Sequence, residues 1–157
     1  DKCCSNEEKP GGKNAAEAAA LILKRGISFK DCLKIYGNDC EGEFLCDKSG
    51  VFLWLTLLES NKEFAEEMKD ESGYCPKLFD YFKHEGRITE SPHVGDAVFL
   101  DVYGCGLAEH CGVVVGVGKN YVETIEGDVS ANFGMLGGEI GRRLRMNSMC
   151  LGFGKMW

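Results

Sequence analysis

Proline is scarce in this chain, at three residues in 157, and an apolar run long enough to cross a bilayer is missing. The longest apolar stretches, such as Val51-Phe52-Leu53-Trp54-Leu55, end within about eight residues, against the ~18–20 that a spanning helix needs. An excess of positive charge is lacking too. Eighteen basic residues against 25 acidic ones leave a net charge of −7, which argues against a nucleic-acid phosphate backbone as the partner. Cys-x-x-Cys pairs of the kind that build a zinc site are absent, so no metal is expected. Nothing in the sequence calls for a cofactor. Internal repeats and low-complexity segments are also absent.

Hydrophobic residues at 44% are enough for a real core, and a chain of this length has room for one. The expected organisation is a single domain over residues 1–157, with 1–13 as a tail and 14–35 as an N-terminal helical extension. Glycine is abundant, at 21 residues, which with so little proline points to tight turns between strands. Nine cysteines are scattered along the chain: Cys3, Cys4, Cys32, Cys40, Cys46, Cys75, Cys105, Cys111 and Cys150. That pattern reads as disulfides formed in an oxidising compartment. Cys32 with Cys40 and Cys105 with Cys111 are plausible local bridges, and Cys75 reads as a half-cystine anchoring a helix. An odd total leaves at least one thiol over, either a bystander or a nucleophile. The sequence opens Asp1-Lys2-Cys3-Cys4 without an initiator Met, and is read as a mature, secreted or periplasmic form whose targeting segment has been removed.

Asn14 followed by Glu17 before an alanine-rich apolar run predicts a capped helix that Gly26 ends. Ser28 and Asp31 open a second, short helix that stops near Gly37. An acidic loop over 38–47 follows. Its Asp39, Glu41, Glu43 and Asp47 match no defined calcium loop and read as a solvated turn. A strongly apolar helix over Ser49–Ser60, an amphipathic one around Glu63–Lys69 and a third at Pro76–His84 complete the helical half. After Pro92 the character changes to short strands separated by glycine, at Ala97–Leu100, Val113–Val115 and Tyr121–Ile125, then near Arg142–Met146 and Leu151–Phe153. Helices first and an antiparallel sheet second mean an α+β fold.

Of three histidines, His84 suits a helix C-terminus and His93 lies in a turn. His110 leads into a strand at the edge of an expected groove. About a dozen residues later, period-two alternation puts Thr124 and Glu126 on one face and Glu123 on the other. Neighbouring antiparallel strands therefore bring Glu126 to the His110 ring, where a carboxylate would hold the tautomer and stabilise the charged form.

Three ordered motifs, Pro92-x-Val94-Gly95-Asp96-Ala97-Val98-Phe99, His110-x-Gly112-Val113-Val114 and Thr124-Ile125-Glu126-Gly127, resemble the second half of the NlpC/CHAP superfamily of peptidoglycan amidases and endopeptidases. The resemblance covers about residues 36–157. It implies a papain-like fold, with a cysteine at a helix N-terminus facing a histidine on a sheet. His110 would be the base and Glu126 the orienting acid, while Asp128 falls where CHAP enzymes often carry Asn. NlpC-type enzymes place the nucleophile in Asp-Cys-Ser-Gly, and this chain reads Asp47-Lys48-Ser49-Gly50, with lysine in the cysteine slot. Counting from Lys48, Val51, Phe52, Leu55 and Leu58 make a core-facing stripe. Counting from Cys46, the equivalent positions are Ser49 and Gly50, a poor packing face. Chemistry favours Cys46, a thiol near a helix start. Packing outweighs it, so Lys48 is read as the nucleophile slot, which leaves this chain inactive, and Cys46 is the alternative nucleophile.

The resemblance thus implies a secreted, antibacterial cysteine hydrolase, similar to type VI amidase effectors, acting on the stem peptides of bacterial peptidoglycan. It would work as a monomer without a cofactor, with Asp47, Ser49 and Asp128 touching substrate. Two other readings stand beside it. One is a non-catalytic peptidoglycan-binding pseudoenzyme with Lys48 in the nucleophile slot, and the other is a thiol acyltransferase of the same superfamily.

Overall fold

The computed structural model describes residues 14–37, 48–129 and 139–157. Among these residues five α-helices precede six strands, one strand more than expected. The helices are α1 (Ala15–Arg25), α2 (Phe29–Tyr36), α3 (Lys48–Ser60), α4 (Lys62–Met68) and α5 (Cys75–His84). The strands are β1 (Ile88–Thr89), β2 (Ala97–Leu100), β3 (His110–Val117), β4 (Tyr121–Val129), β5 (Glu139–Met146) and β6 (Cys150–Gly154). All strand pairs are antiparallel, in the order β1-β6-β2-β3-β4-β5. The fold class is α+β.

Local chemistry explains the helix ends. The Asn14 side chain accepts the Glu17 backbone N–H at 2.9 Å, satisfying an N–H that the helix itself leaves free. Gly26 closes α1 in the left-handed conformation at φ 65°, where a β-carbon would be strained. Asn61 caps α4 in the same way through the Phe64 N–H. Ala15, Ala19 and Ile22 of α1 belong to the main core, and α1 packs on α3 and β3. α1 is thus part of the structure that supports the sheet.

The α3 helix differs from the one-sided stripe expected of it. Val51, Phe52, Leu53 and Leu57 are all fully buried, Trp54 and Leu55 nearly so, because the helix is enclosed by α1, α2, α4, β3 and β4. Its polar start is buried as well. Ser49 is fully buried, and a β-carbon added at Gly50 would lie 2.0 Å from the Ser72 carbonyl oxygen. Ser49 and Gly50 thus form a close-packed face.

Strand alternation divides the sheet. Ala97, Phe99, Cys111, Val113 and Ile125 face the helices within the main core. Val98, Leu100, Val114, Val122 and Phe153 form a second cluster, with Met149 and Cys150 packed against it. His110 lies directly across from Leu100 in the β2–β3 ladder, so its ring projects on the side of this second cluster, away from the helix-facing row.

Candidate functional site

His110 is the first residue of β3, and its side chain is 14% exposed. Its Nε2 lies 2.6 Å from Oε1 of Glu126, whose side chain is fully buried. Among the described residues, the other ring nitrogen, Nδ1, has no hydrogen-bond partner. Glu123, by contrast, is exposed. A buried carboxylate must be paired, and Glu126 is fully engaged. Arg145 donates from Nε to Oε2 at 2.9 Å and from Nη2 to Oε1 at 2.6 Å, and the Thr124 hydroxyl donates to Oε2. Thr124 stands two residues before Glu126 on the same face of β4, and Arg145 reaches across from β5, where it pairs with Val122.

The electrostatics follow from this cage. Burial pushes the Glu126 carboxyl up, but the Arg145 hydrogen bonds, the His110 hydrogen bond and both charges outweigh it and hold it at about 2. Arg145 is held above its ordinary value in turn, first by its hydrogen bond to Glu126. Glu126 is therefore a carboxylate at any physiological pH. A fixed anion at one ring nitrogen sets the tautomer and orientation of His110, leaving Nδ1 for proton transfer.

Gly112 makes room for this arrangement. A β-carbon there would lie 2.5 Å from Cγ of Glu126 and 3.0 Å from the Ile125 carbonyl oxygen. Replacing Gly112 with Ala is expected to displace Glu126 and cost about 1–3 kcal/mol in urea unfolding. The NMR signals of the His110 ring should move with it. Unchanged ring signals together with unchanged stability would mean that the carboxylate does not need this space.

None of the thiols among the described residues is set up as a nucleophile for this histidine. Cys150 lies on the His110 side, but burial, against the opposing pull of Arg145, pushes its thiol up to about 11, and its Sγ points to the Met146 carbonyl oxygen at 3.6 Å. Cys32 is likewise raised to about 11, chiefly by burial. Cys75 and Cys111 are fully buried on the helix-facing side. Cys105 is exposed in the β2–β3 loop, with its Sγ toward Asp101 and Glu109. It does not form the expected local pair with Cys111, whose Sγ meets Cys75 instead.

Two candidates, Cys46 and Asp47, lie outside the described residues, as do the side chains of Lys48 and Asp128. Lys48 is the first residue of α3, the position that the resemblance assigns to a cysteine. Ser49, expected to touch substrate, instead lies fully buried with its Oγ 3.1 Å from Cys75 Sγ, so the close packing at the start of α3 withdraws it from any groove. Arg145 is the site residue that sequence reasoning missed. Its signal was arginine at every second position, Arg143 and Arg145, on an expected strand in an acidic chain.

Two further groupings stand apart. Asp101, Cys105 and Glu109 place potential ligand atoms within 4.8 Å of one another. Their carboxylates already accept loop N–H groups from Cys105, Gly106 and Tyr103, so the cluster braces the loop. Asp96, almost fully buried at the entry to β2, accepts the His93 N–H at 2.8 Å. Among the described residues its Oδ1 has no partner. Burial pushes Asp96 up to about 6, against the pull of His93. A carboxyl raised on folding contributes stability that is present below its unfolded value of 3.8 and lost as pH rises through about 6. Asp96→Asn should therefore flatten the stability profile between about pH 4 and 6, measured by thermal melts. An unchanged slope would remove Asp96 as its source.

No protein-family model, curated protein or solved structure matches this chain.

Proposed function

We propose that the protein is a secreted cysteine hydrolase that cuts amide bonds in the stem peptides of bacterial peptidoglycan. The observation that carries the reading is the His110–Glu126 contact at 2.6 Å, a buried, arginine-held carboxylate on one nitrogen of a partly exposed imidazole. Such a pair is suited to accept and return one proton. The substrate class comes from the three ordered motifs that resemble NlpC/CHAP amidases.

Cys46 is the proposed thiol. The packing argument against it was that Ser49 and Gly50 make a poor face, and both are tightly packed. Cys46 lies two residues before the α3 start, whose N-terminal dipole favours a thiolate. Ser49 sits on the helix-facing side of β3, against Cys75 and near Cys111, whereas the His110 ring projects from the other side. Ser49 is therefore not the group that serves His110, and the proposed thiol stands three residues before it in sequence. In the reaction, Nδ1 of His110 takes the thiol proton and the sulfur attacks the amide carbonyl. The oxyanion forms against backbone amides at the helix start, and the proton passes to the departing amine. Water then releases the acyl group from sulfur by the same proton route in reverse.

The pseudoenzyme reading draws on one specific observation, that α3 opens with lysine at the slot where the resemblance places cysteine. One experiment separates the two. Purified peptidoglycan is incubated with the protein or its His110→Ala variant, and newly exposed amino groups are counted. The hydrolase reading expects release that falls to background in the variant. Binding without release by the unmodified protein would favour the pseudoenzyme, and equal release by the two would remove His110 from the mechanism.

A further inference from the structure

Cys75 opens α5 and Cys111 is the second residue of β3. Their Sγ atoms lie 3.1 Å apart although the residues are 36 positions apart in sequence. Both side chains are fully buried. Ser49, the second residue of α3, places its Oγ 3.1 Å from Cys75 Sγ, so three elements meet at this point. The proton route through His110 uses neither sulfur, and Cys111 is the residue next to His110 on the opposite face of the strand.

Two thiols gain little from facing each other in such a setting, since S–H is a weak donor and sulfur a weak acceptor. A covalent bond between them needs an approach of only about 1 Å, to the ~2.05 Å of a disulfide. Among the described residues, two other cysteines are poorly placed for either sulfur. Cys105 is exposed and turned toward Asp101 and Glu109, and Cys150 packs in the second cluster, on the other side of the sheet.

We propose that Cys75 and Cys111 are joined by a disulfide in the oxidised protein, stapling the start of α5 to β3 directly behind His110. The bond forms by exchange with the disulfide of a low-molecular-weight thiol, before burial is complete. One protein thiolate attacks that disulfide, giving a mixed disulfide and releasing one small thiol. The second protein thiolate attacks the protein-bound sulfur and releases the other. The two protein thiols are oxidised and lose two protons, and the small disulfide is reduced to two thiols that take them up. A bridge over this span restricts the unfolded chain and fixes the strand that carries the histidine.

Peptide mapping tests this directly. Full-length protein refolded in a mixture of reduced and oxidised glutathione is denatured in the presence of an alkylating agent, which traps every free thiol. It is then digested without reduction by trypsin and a glutamate-specific protease. Cleavage around Cys75 gives Ser72–Lys77 and cleavage around Cys111 gives His110–Lys119, each with a single cysteine. The expected result is one species with the summed mass of these two peptides, two hydrogens lighter, which separates into both on reduction. Alkylated forms of both peptides as the main products, or either peptide linked to a different cysteine, would overturn the proposal.

Discussion

Exchanging Glu126 for glutamine is expected to lower the unfolding free energy by about 3 kcal/mol and the proposed cell-wall hydrolysis on the order of a thousandfold. The stability loss follows from what the substitution leaves behind. Arg145 is only 18% exposed and loses the anion that two of its donors address, and an uncompensated buried charge is the costly half of a broken ion pair. The activity loss follows from His110, which keeps its place in β3 but loses the fixed anion at Nε2. Its tautomer and orientation are then no longer fixed. A pH profile separates this effect from simple packing. A carboxyl held at about 2 on folding contributes stability that is fully present above its unfolded value of 4.5 and is lost as pH falls toward 2. Glu126→Gln should erase that acid slope and leave melts nearly parallel below about pH 2. A variant that melts like the unmodified protein at pH 7 would show that the cage around Glu126 is not load-sharing in the fold, and full activity would separate the pair from catalysis.

The partnership of His110 with Glu126 was legible because it rests on a period of two and on neighbouring strands, both local properties of sequence. The helix caps were legible for the same reason, since Asn14 and Glu17 need only each other. What was not legible depends on what surrounds an element. The two-residue strand Ile88–Thr89 exists through pairing with Phe153 and Gly154 at the far end of the chain, and no local pattern announces it. Arg145 acquires its role from a position two residues along β4 from Val122, its pairing partner, to Thr124 and then Glu126, a geometry that needs the sheet register. The expected α3 stripe proved to be only part of the helix's buried surface, for a physical reason. A stripe identifies a buried face only when the opposite face is wet, and α3 is enclosed on nearly every side. The meeting of Cys75 with Cys111 was hidden likewise, because shortest loops were the natural guide to pairing and folding brings together sulfurs from a helix start and a strand.

The start of α3 also decides the largest functional prediction. If Cys46 is the nucleophile, the unmodified chain releases peptide amino groups from peptidoglycan, and Cys46→Ala brings release to background, a loss of at least a thousandfold. Lys48→Ala should reduce activity by about tenfold or less, through loss of a cation two residues from the thiol that favours its ionised form. Lysine cannot simply take the thiol's place. To be neutral near pH 7 its ammonium would have to lose about three units of pKa to desolvation. Asp47, its neighbour in sequence, opposes that by favouring the charged form. The competing register predicts the reverse pattern. There the unmodified chain is inert, Cys46→Ala changes nothing, and Lys48→Cys creates hydrolysis where none existed. That outcome would identify position 48 as the nucleophile slot and the natural chain as a peptidoglycan-binding pseudoenzyme. The four proteins, assayed side by side on one substrate preparation with a His110→Ala control in each background, distinguish the two patterns. Only one of them leaves Cys46 with a role in which His110, held by the buried carboxylate of Glu126, supplies the base.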